Sequence, residues 1–181
     1  MSLKDLAKKI KVCKKCRLWK SRINAVPGEG NPRAKIMFIG EAPGSKEDET
    51  GKPFMGMAGV FLDTLFKKYK IKRKDIFITS VVKCRPPENR NPKADEINAC
   101  AKAYLYKQIK AVKPKIIVLL GNIPLKALLG KKKMSEVHGK IFIKRKIKYI
   151  PLFHPAAGMR FPKIKKEMTA DFKKIKELLK S

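Results

Sequence analysis

Four short apolar runs, each rich in β-branched residues, recur along the chain and limit the folds open to it. They are KIMFIG (35–40), IFITSVV (76–82), KIIVLLG (115–121) and IKYIPLF (147–153). Their apolar residues are consecutive rather than alternating, which is typical of strands buried on both faces in a parallel sheet. The pattern therefore predicts an α/β fold with a four-stranded, mainly parallel central sheet.

Segments with helical periodicity separate these runs, as crossover connections between parallel strands require. They span residues 58–70, 93–112 and 123–130. A last helix is predicted by an apolar stripe at spacings of three and four: Ile164, Met168, Phe172, Ile175 and Leu179. Packing these helices on the sheet gives a three-layer sandwich, and IFIKRKIKYI (141–150) has room for a short hairpin. With no repeat or linker in 181 residues, we expect a single domain over 1–181.

The charge balance predicts a polyanionic partner. Lys and Arg number 45 against 15 Asp and Glu, a net charge of +30. A hot-adapted composition would raise Glu together with Lys, and acids are scarce here. We therefore expect a nucleic-acid-binding surface. Candidates for the contact face are the Lys and Arg residues of 131–148 and of HPAAGMR (154–160).

The sequence gives no indication of a membrane partner. Its apolar runs are far shorter than the ~20 residues that a bilayer span needs, and the N-terminus has no apolar stretch of the kind found in secretory signals. We expect a soluble, cytoplasmic monomer that associates with the nucleoid through DNA.

Three informative loops follow strands at the edge where α/β sheets form their sites. They are GEAPGSKEDETGKPFMG (40–56), KCRPPENRNP (83–92) and HPAAGMR (154–160). The first is too long for a plain βα connection, and its spacing from Gly44 to GKP (51–53) excludes a phosphate-binding P-loop. Phe54 within it is either a core plug or a ring on which a flat heterocycle stacks.

The four cysteines have the spacing of a metal or cluster site. Cys13 and Cys16 form a C-x2-C pair, and Cys84 and Cys100 lie far along the chain. Disulfides are not expected in an intracellular protein. Tetrahedral zinc, an iron–sulfur cluster and four buried free thiols all remain open from spacing alone. A four-thiolate site would tie the basic N-terminal arm to the sheet.

The two histidines differ in position. His138, in EVHGK, reads as a surface or turn residue. His154 ends the fourth strand and precedes Pro155, which disfavours helix at that point. A histidine at the carboxyl end of a strand, facing the Phe54 loop, is a candidate functional residue.

Taken together, these motifs resemble the family 4 uracil-DNA glycosylases, the iron–sulfur, archaeal and thermophile-type branch of their superfamily. The resemblance covers nearly the whole chain and is carried, in order, by CKKC, NAVPGEGNP, GEAPG, GKPFMG, VVKCRPPENRNP, Cys100 and HPAAGMR. It implies a uracil-DNA glycosylase fold and the excision of uracil from DNA, single- or double-stranded. It also implies a [4Fe-4S] cluster on Cys13, Cys16, Cys84 and Cys100.

The resemblance also implies roles for residues of the loops. His154 would hydrogen-bond the uracil O2 as negative charge develops, and Phe54 would stack on the base. Glu41 is a candidate base or a residue that positions the loop, and Glu47 a supporting residue. The implied site residues are Glu41 and His154 as catalytic groups, with Gly40, Ala42, Glu47, Phe54, Ser80 and Arg160 binding the substrate.

Two positions depart from the family pattern. Relatives usually have asparagine where this chain has Ser80, and the single hydroxyl of the shorter serine cannot make the bidentate discrimination against cytosine in the way that the amide does. The related family 5 branch also lacks that asparagine and is similar in accepting a wider set of deaminated bases. Relatives also commonly place a bulky apolar residue where Gly158 stands, so Met159 or Arg160 is the alternative wedge.

Two functions therefore compete at this point. The first is an enzyme that removes uracil, and other deaminated bases with it, from DNA. The second is a basic, cluster-stabilised module that recognises damaged or single-stranded nucleic acid without cleaving it. Ser80 and Gly158 are the residues that favour the second.

Overall fold

The structure is a computed structural model, and it describes residues 1–130 and 133–180. Lys131 and Lys132, which belong to the predicted contact segment 131–148, lie outside the described residues, as does Ser181.

The sheet contains the four predicted parallel strands at its centre. Its strands are β1 (Glu29–Gly30), β2 (Ile36–Gly40), β3 (Phe77–Ser80), β4 (Ile116–Leu120), β5 (Phe142–Lys144) and β6 (Ile147–Leu152). Their order is β1-β3-β2-β4-β6-β5. The four central strands, β3, β2, β4 and β6, are parallel to one another. The α/β class is confirmed, although the described sheet has six strands rather than four.

The two additional strands lie at the edges and are antiparallel. β5 pairs with β6 as the expected short hairpin. β1 was not predicted, because it is only two residues long and has no apolar run. It pairs through Glu29 opposite Ile78 and Gly30 opposite Phe77.

In the described part of the chain, the helices occupy the predicted segments and four further ones. They are α1 (Leu3–Lys11), α2 (Ser45–Thr50), α3 (Met57–Lys68), α4 (Ala94–Cys100), α5 (Tyr106–Val112), α6 (Asn122–Leu129), α7 (Met134–Val137), α8 (Pro155–Arg160) and α9 (Pro162–Lys180). A π-helical turn, Ala101–Leu105, joins α4 to α5, so the predicted helix 93–112 is one continuous helical segment. α1, α2, α7 and α8 were not predicted, and the last three are too short to show a period.

The sheet is covered on both faces, as a three-layer sandwich requires. Along β2, Ile36 and Phe38 pack in the cluster formed with α3 and α9. Met37 and Ile39 pack on the opposite face, in the cluster formed with α4, α5 and α6. This alternation explains why the strands are apolar at every position. The predicted stripe of α9 is confirmed at its centre, where Met168, Phe172 and Ile175 are fully buried.

The N-terminal arm packs against the α4–α5 layer. Leu6 and Ile10 of α1 are buried in a third cluster that contains Cys84, Cys100 and Tyr104. The capping box of Ser2 and Asp5 begins α1. In the described part of the chain, no helix combines the length and the apolar character that a membrane crossing needs.

His138 is more than the surface or turn residue expected from the sequence. It does lie in the turn that ends α7, but its ring packs 4.8 Å from that of Phe153. Its Nδ1–H donates to Asp171 Oδ2 over 2.8 Å, and the side chain of Asp171 is only 2% exposed. Gly139 makes room for this contact, since a Cβ there would lie 2.0 Å from Asp171 Oδ1.

We therefore expect His138→Ala to destabilise the fold. It leaves the buried Asp171 carboxylate with Lys174 Nζ at 3.4 Å as its remaining partner, and an unpaired buried acceptor costs about 1–3 kcal/mol. Urea unfolding at pH 7 measures the loss. Lys174→Ala is the matched control, because it removes a mostly exposed partner worth about 0–1 kcal/mol. Equal losses in the two variants would contradict the structural role of His138.

Candidate active site

Side chains from three separate loops meet at the carboxyl edge of the sheet. Gly40 ends β2 and lies beside Ser80, which ends β3. A Cβ on Gly40 would lie 2.5 Å from Phe54 Cζ and 3.5 Å from Ser80 Oγ. The rings of Phe54 and His154 lie 6.5 Å apart between centroids and are inclined by 28°. The structure thus brings Gly40, Phe54, Ser80 and His154 into one site.

The Phe54 backbone is held from two sides. Its φ of 55° lies in the left-handed region. Arg73 Nη2 donates to the carbonyl oxygens of Pro53, over 2.9 Å, and of Phe54, over 3.4 Å. On the other side, α3 approaches so closely that a Cβ on Gly59 would lie 1.9 Å from the Phe54 oxygen. Sequence reasoning missed Arg73 and Gly59, because neither lies in a recognisable motif.

Glu47 holds the same loop from within. Its carboxylate accepts hydrogen bonds from the backbone N–H groups of Gly44 (3.0 Å), Met55 (2.7 Å) and Gly56 (2.8 Å). These contacts join the start of α2 to the residues that follow Phe54. Both carboxylate oxygens are therefore occupied by the loop itself, which is the supporting role considered for Glu47 rather than direct substrate contact.

Glu41 and Ala42 continue from β2 into the loop. The backbone oxygens of Gly40 and Glu41 accept from Val81 and Val82 N–H groups, over 2.9 and 3.1 Å. The Glu41 carboxylate is partly buried and has no hydrogen-bond or ion-pair partner in the part of the chain that is described. Burial raises its pKa. Ala42 packs against the cluster that surrounds Cys84 and Cys100.

His154 is poised as a neutral hydrogen-bond donor. It is the N-cap of α8, and its Nδ1 accepts from the Ala156 N–H over 3.2 Å. In the neutral ring the proton therefore lies on Nε2, which is left to donate. Burial lowers the pKa of His154, with the negative charge of Glu47 acting in the opposite direction. The imidazole is consequently uncharged at neutral pH.

The end of β3 rests on a buried lysine. Lys83 is 1% exposed, and its Nζ donates to the Ser80 carbonyl over 2.5 Å and to Thr79 Oγ1 over 2.7 Å. Burial lowers the pKa of Lys83 to about 8, against the raising effect of Cys100 and Cys84. Sequence reasoning missed this residue. The signal was a lysine inside the apolar run VVKC (81–84), where a solvated cation is not expected.

The four cysteines converge although they are remote in sequence. Cys13, Cys16, Cys84 and Cys100 are free thiols that line one cavity, together with Ile10, Lys15, Trp19, Arg22, Lys83 and Tyr104. Burial raises the pKa of the thiols of Cys16 and Cys84, and that of Cys100 to about 12. In residues 1–130 and 133–180, no three or more His, Cys, Asp or Glu side chains are grouped so as to hold a metal ion.

Arg22 is a further residue of this cavity that the sequence reasoning missed. Its Nη1 donates to Cys84 Sγ over 3.0 Å and to the Cys13 carbonyl over 2.8 Å. Its Nη2 donates to the Lys11 carbonyl over 2.9 Å. The guanidinium therefore places positive charge among four sulfurs that would each carry negative charge as metal ligands.

The residues after His154 explain the glycine at position 158. Gly158 is buried, and a Cβ there would lie 2.7 Å from Phe61 Cε1 and 2.8 Å from Met168 Sδ. The position faces the core, so a bulky residue does not fit it in this backbone. Met159 is 41% exposed and Arg160 is exposed at the end of α8.

Comparison with known proteins agrees with this architecture. The model of the uracil DNA glycosylase superfamily matches residues 27–180. A type-4 uracil-DNA glycosylase of Sulfurisphaera tokodaii is 46% identical over 98% of this chain and 84% of its own. That of Archaeoglobus fulgidus is 42% identical over 98% and 93%. A type-5 uracil-DNA glycosylase of Pyrobaculum aerophilum is 30% identical over 81% and 72%.

The family match extends over most of the chain, and the relatives with the higher identities share one name. With the parallel sheet and the site at its carboxyl edge, this establishes that the chain belongs to the uracil DNA glycosylase superfamily, in the type-4 group.

Proposed function

We propose that this protein is a uracil-DNA glycosylase, which hydrolyses the N-glycosidic bond of uracil in DNA and leaves an abasic site. The observation that carries the proposal is the meeting of Phe54 and Ser80 around Gly40, with His154 beside Phe54, at the carboxyl edge of the sheet. The type-4 relatives are named for the same activity, so a binder that does not cleave is not favoured.

The reaction determines what each residue must do. The target nucleotide leaves the base stack to reach the pocket. The bond between C1′ and N1 breaks with its electron pair going to the uracil ring. Water adds its hydroxyl to C1′, and its remaining proton is finally taken up by the uracil anion. Positive charge develops on the sugar and negative charge on the base, so groups aimed at the base anion lower the barrier.

His154 is suited to stabilise the departing base. Its neutral ring keeps Nε2–H as the free donor, because Nδ1 is engaged by the Ala156 N–H. A donor to the uracil O2 strengthens as negative charge grows on that atom, which favours the transition state over the bound substrate. Because the ring is already neutral, no proton has to leave it before it can act.

Phe54 and Gly40 form the floor on which the base would stack. The absence of a side chain on Gly40 lets the Phe54 ring approach the end of β2. The ring does not have to be ordered during binding, since Glu47, Arg73 and Gly59 fix its backbone. Stacking on a preorganised ring holds the base in the orientation that His154 requires.

Glu41 and the exposed residues of α8 complete the proposed roles. Burial raises the pKa of Glu41, which moves a carboxylate toward the range of a general base for water. Ala42 lines the same loop but offers no carboxylate. Arg160 would contact the DNA, and either Met159 or Arg160 would enter the vacated stack, since both are exposed. The single domain over 1–181, the monomeric state, the cytoplasmic location and the nucleoid association stay predictions.

We infer that the cysteine cavity would hold the [4Fe-4S] cluster implied by the family, on the basis of its four thiol donors. Its four thiols are the donor set of such a cluster, and Arg22 and Lys83 offer positive charge to the anion that the thiolates would form. Cys13, Cys16, Cys84 and Cys100 would hold the cluster, which would link the N-terminal arm to β3 and α4. The role of the cluster there would be structural, because four thiolate ligands leave no open coordination position for a substrate.

The cluster gives a direct test. Protein purified without oxygen should be brown and contain about four iron and four sulfide per chain. Stoichiometric zinc without sulfide would contradict the proposal. Cys84→Ala should mainly lower solubility and thermal stability, because the binding free energy of the metal is also folding free energy.

The roles of His154 and Phe54 are tested by comparing chemistry with binding. His154→Ala should slow single-turnover uracil release about 10²- to 10³-fold, the usual cost of losing one such donor. Phe54→Ala should also slow release much more than it weakens binding to undamaged duplex, which serves as the internal control. Equal losses in rate and binding would mean that both residues are structural.

The pH profile tests the neutral form of His154. Burial lowers its pKa below the ordinary value of about 6.5, so the neutral donor is retained as pH falls through that value and is lost only below the lowered pKa. The wild-type rate should therefore stay level through pH 6.5, and its acid limb should lie lower. A limb centred at or above the ordinary value would contradict the assignment.

Ser80 is expected to set the range of bases accepted. The residue is 6% exposed, and an unmatched polar edge of the base costs about 1–3 kcal/mol, or about one to two decades in rate. Ser80→Asn should raise uracil release and reduce activity on hypoxanthine and xanthine. Single-turnover assays on the three bases give the result. An unchanged rate and ranking would show that the serine is neutral.

A further inference from the structure

A row of cations lies on the outer face of the α4–α5 helical segment, away from the site. Lys102, Lys107, Lys110 and Lys113 are exposed, while Ala101, Leu105, Gln108 and Val112 face the core. From Lys102 to Lys113 the helical rise covers about 16 Å. Tyr106 lies within this row and is 46% exposed. We call these five residues, Lys102, Tyr106, Lys107, Lys110 and Lys113, the α4–α5 track.

The track lies in a part of the sequence with almost no acidic residues. Residues 97–166 contain 18 Lys and Arg and a single acid, Glu136. In the described part of the chain, none of the four track lysines forms an ion pair. Their charges are therefore available to a ligand.

A concave surface adjoins the track at each of its ends. Lys102 and Lys107 line a hollow together with Lys9, Lys15 and Tyr104. Tyr106, Lys110 and Lys113 line a groove whose other cations are Lys115, Lys144, Arg145 and Lys146. The cationic surface is therefore longer than the helix, which suits an extended polyanion better than a single phosphate.

The track and the proposed catalytic site occupy different layers. α4 and α5 cover the sheet face that carries Met37 and Ile39, whereas Phe54 belongs to the cluster with α3 and α9. The helical segment leads back toward the start of β4, so Lys113 lies at the amino edge of the sheet and His154 at the carboxyl edge. DNA held at the catalytic site does not need the track.

We propose that the α4–α5 track is a second nucleic-acid site, which binds a single strand through its phosphates and stacks a base on Tyr106. Unpaired cations that follow the backbone, interleaved with an exposed aromatic ring, are the features that bind single strands without regard to sequence. A duplex keeps its bases stacked and would leave the Tyr106 ring unused, and an acidic protein segment would need the charges without the ring.

Binding of a labelled 12-residue oligothymidylate, followed by fluorescence anisotropy, tests the proposal. The triple variant Lys107→Ser, Lys110→Ser, Lys113→Ser should weaken binding at least tenfold and reduce the log–log salt slope by about 2, since each single-strand phosphate contact contributes about 0.7. The matched control is Lys67→Ser, Lys72→Ser, Lys74→Ser, which removes the same charge from exposed positions near α3. Its affinity should change less than threefold.

Substitutions of Tyr106 distinguish a site for nucleic acid from a surface that binds any polyanion through its charge. Tyr106→Ala should weaken binding about tenfold with little change in salt slope, because it removes stacking and not charge. Tyr106→Phe should restore the affinity. No effect of Tyr106→Ala, together with displacement of the oligothymidylate by a 12-residue polyglutamate, would assign the surface to acidic proteins and overturn the proposal. Equal weakening by the two triple variants would also overturn it.

The catalytic proposal is measured separately in the same variants. Single-turnover uracil release from a short duplex, with enzyme in excess, should be unchanged by every track substitution. Loss of oligothymidylate binding with full excision supports the second site. Failure of the wild-type protein to excise uracil would contradict the proposed function and leave the binding comparison intact.

Discussion

Parallel pairing of β2 with β3 on one side and β4 on the other is the constraint on which the site depends. The register aligns Gly40 with Ser80, and β6 pairs with the far side of β4. Because parallel strands end at the same edge of the sheet, the residues at positions 40, 80 and 154 meet there although they are far apart along the chain. The apolar sequence that buries the strands on both faces therefore also gathers the chemistry at one edge.

The sheet alone does not position Phe54, which lies in the middle of a long loop. That position is fixed by polar contacts of the backbone: Glu47 accepts three N–H groups, and Arg73 donates to two carbonyls. Each contact satisfies a group that would otherwise be unpaired when the loop packs on the protein. The loop is thus ordered before any ligand binds, and binding does not have to supply its ordering entropy.

The amino-acid sequence was sufficient to predict the elements that have a continuous or periodic apolar pattern. Strands β2, β3, β4 and β6 were predicted because burial on both faces leaves a continuous apolar run. The stripe of α9 was predicted because burial on one face leaves a helical period. β1 was missed, since two residues with a glycine have no period. Arg22 and Arg73 were missed for another reason: a cation that pairs with backbone oxygens or a sulfur is identical in sequence to one in solvent. Lys83 was missed although its position in the apolar run VVKC (81–84) is a signal of burial. The turn position of His138 was predicted, but its contact with Asp171 was not, because the two residues lie 33 apart in the sequence.

Lys83 connects the two halves of the site that the sequence presented as separate motifs. Its ammonium is buried, and the oxygens that it contacts, Ser80 O and Thr79 Oγ1, are neutral. Neutral acceptors recover only part of the cost of burying a charge, and burial lowers the pKa of Lys83 to about 8. Cys100 and Cys84 act in the opposite direction, and as thiolate ligands they would stabilise the ammonium. The end of β3, where Ser80 would meet the base, is therefore held by a lysine whose charge is favoured by the cysteine cavity. Lys83 therefore links the cysteine cavity, which it lines, to the backbone of Ser80, the proposed base-reading residue.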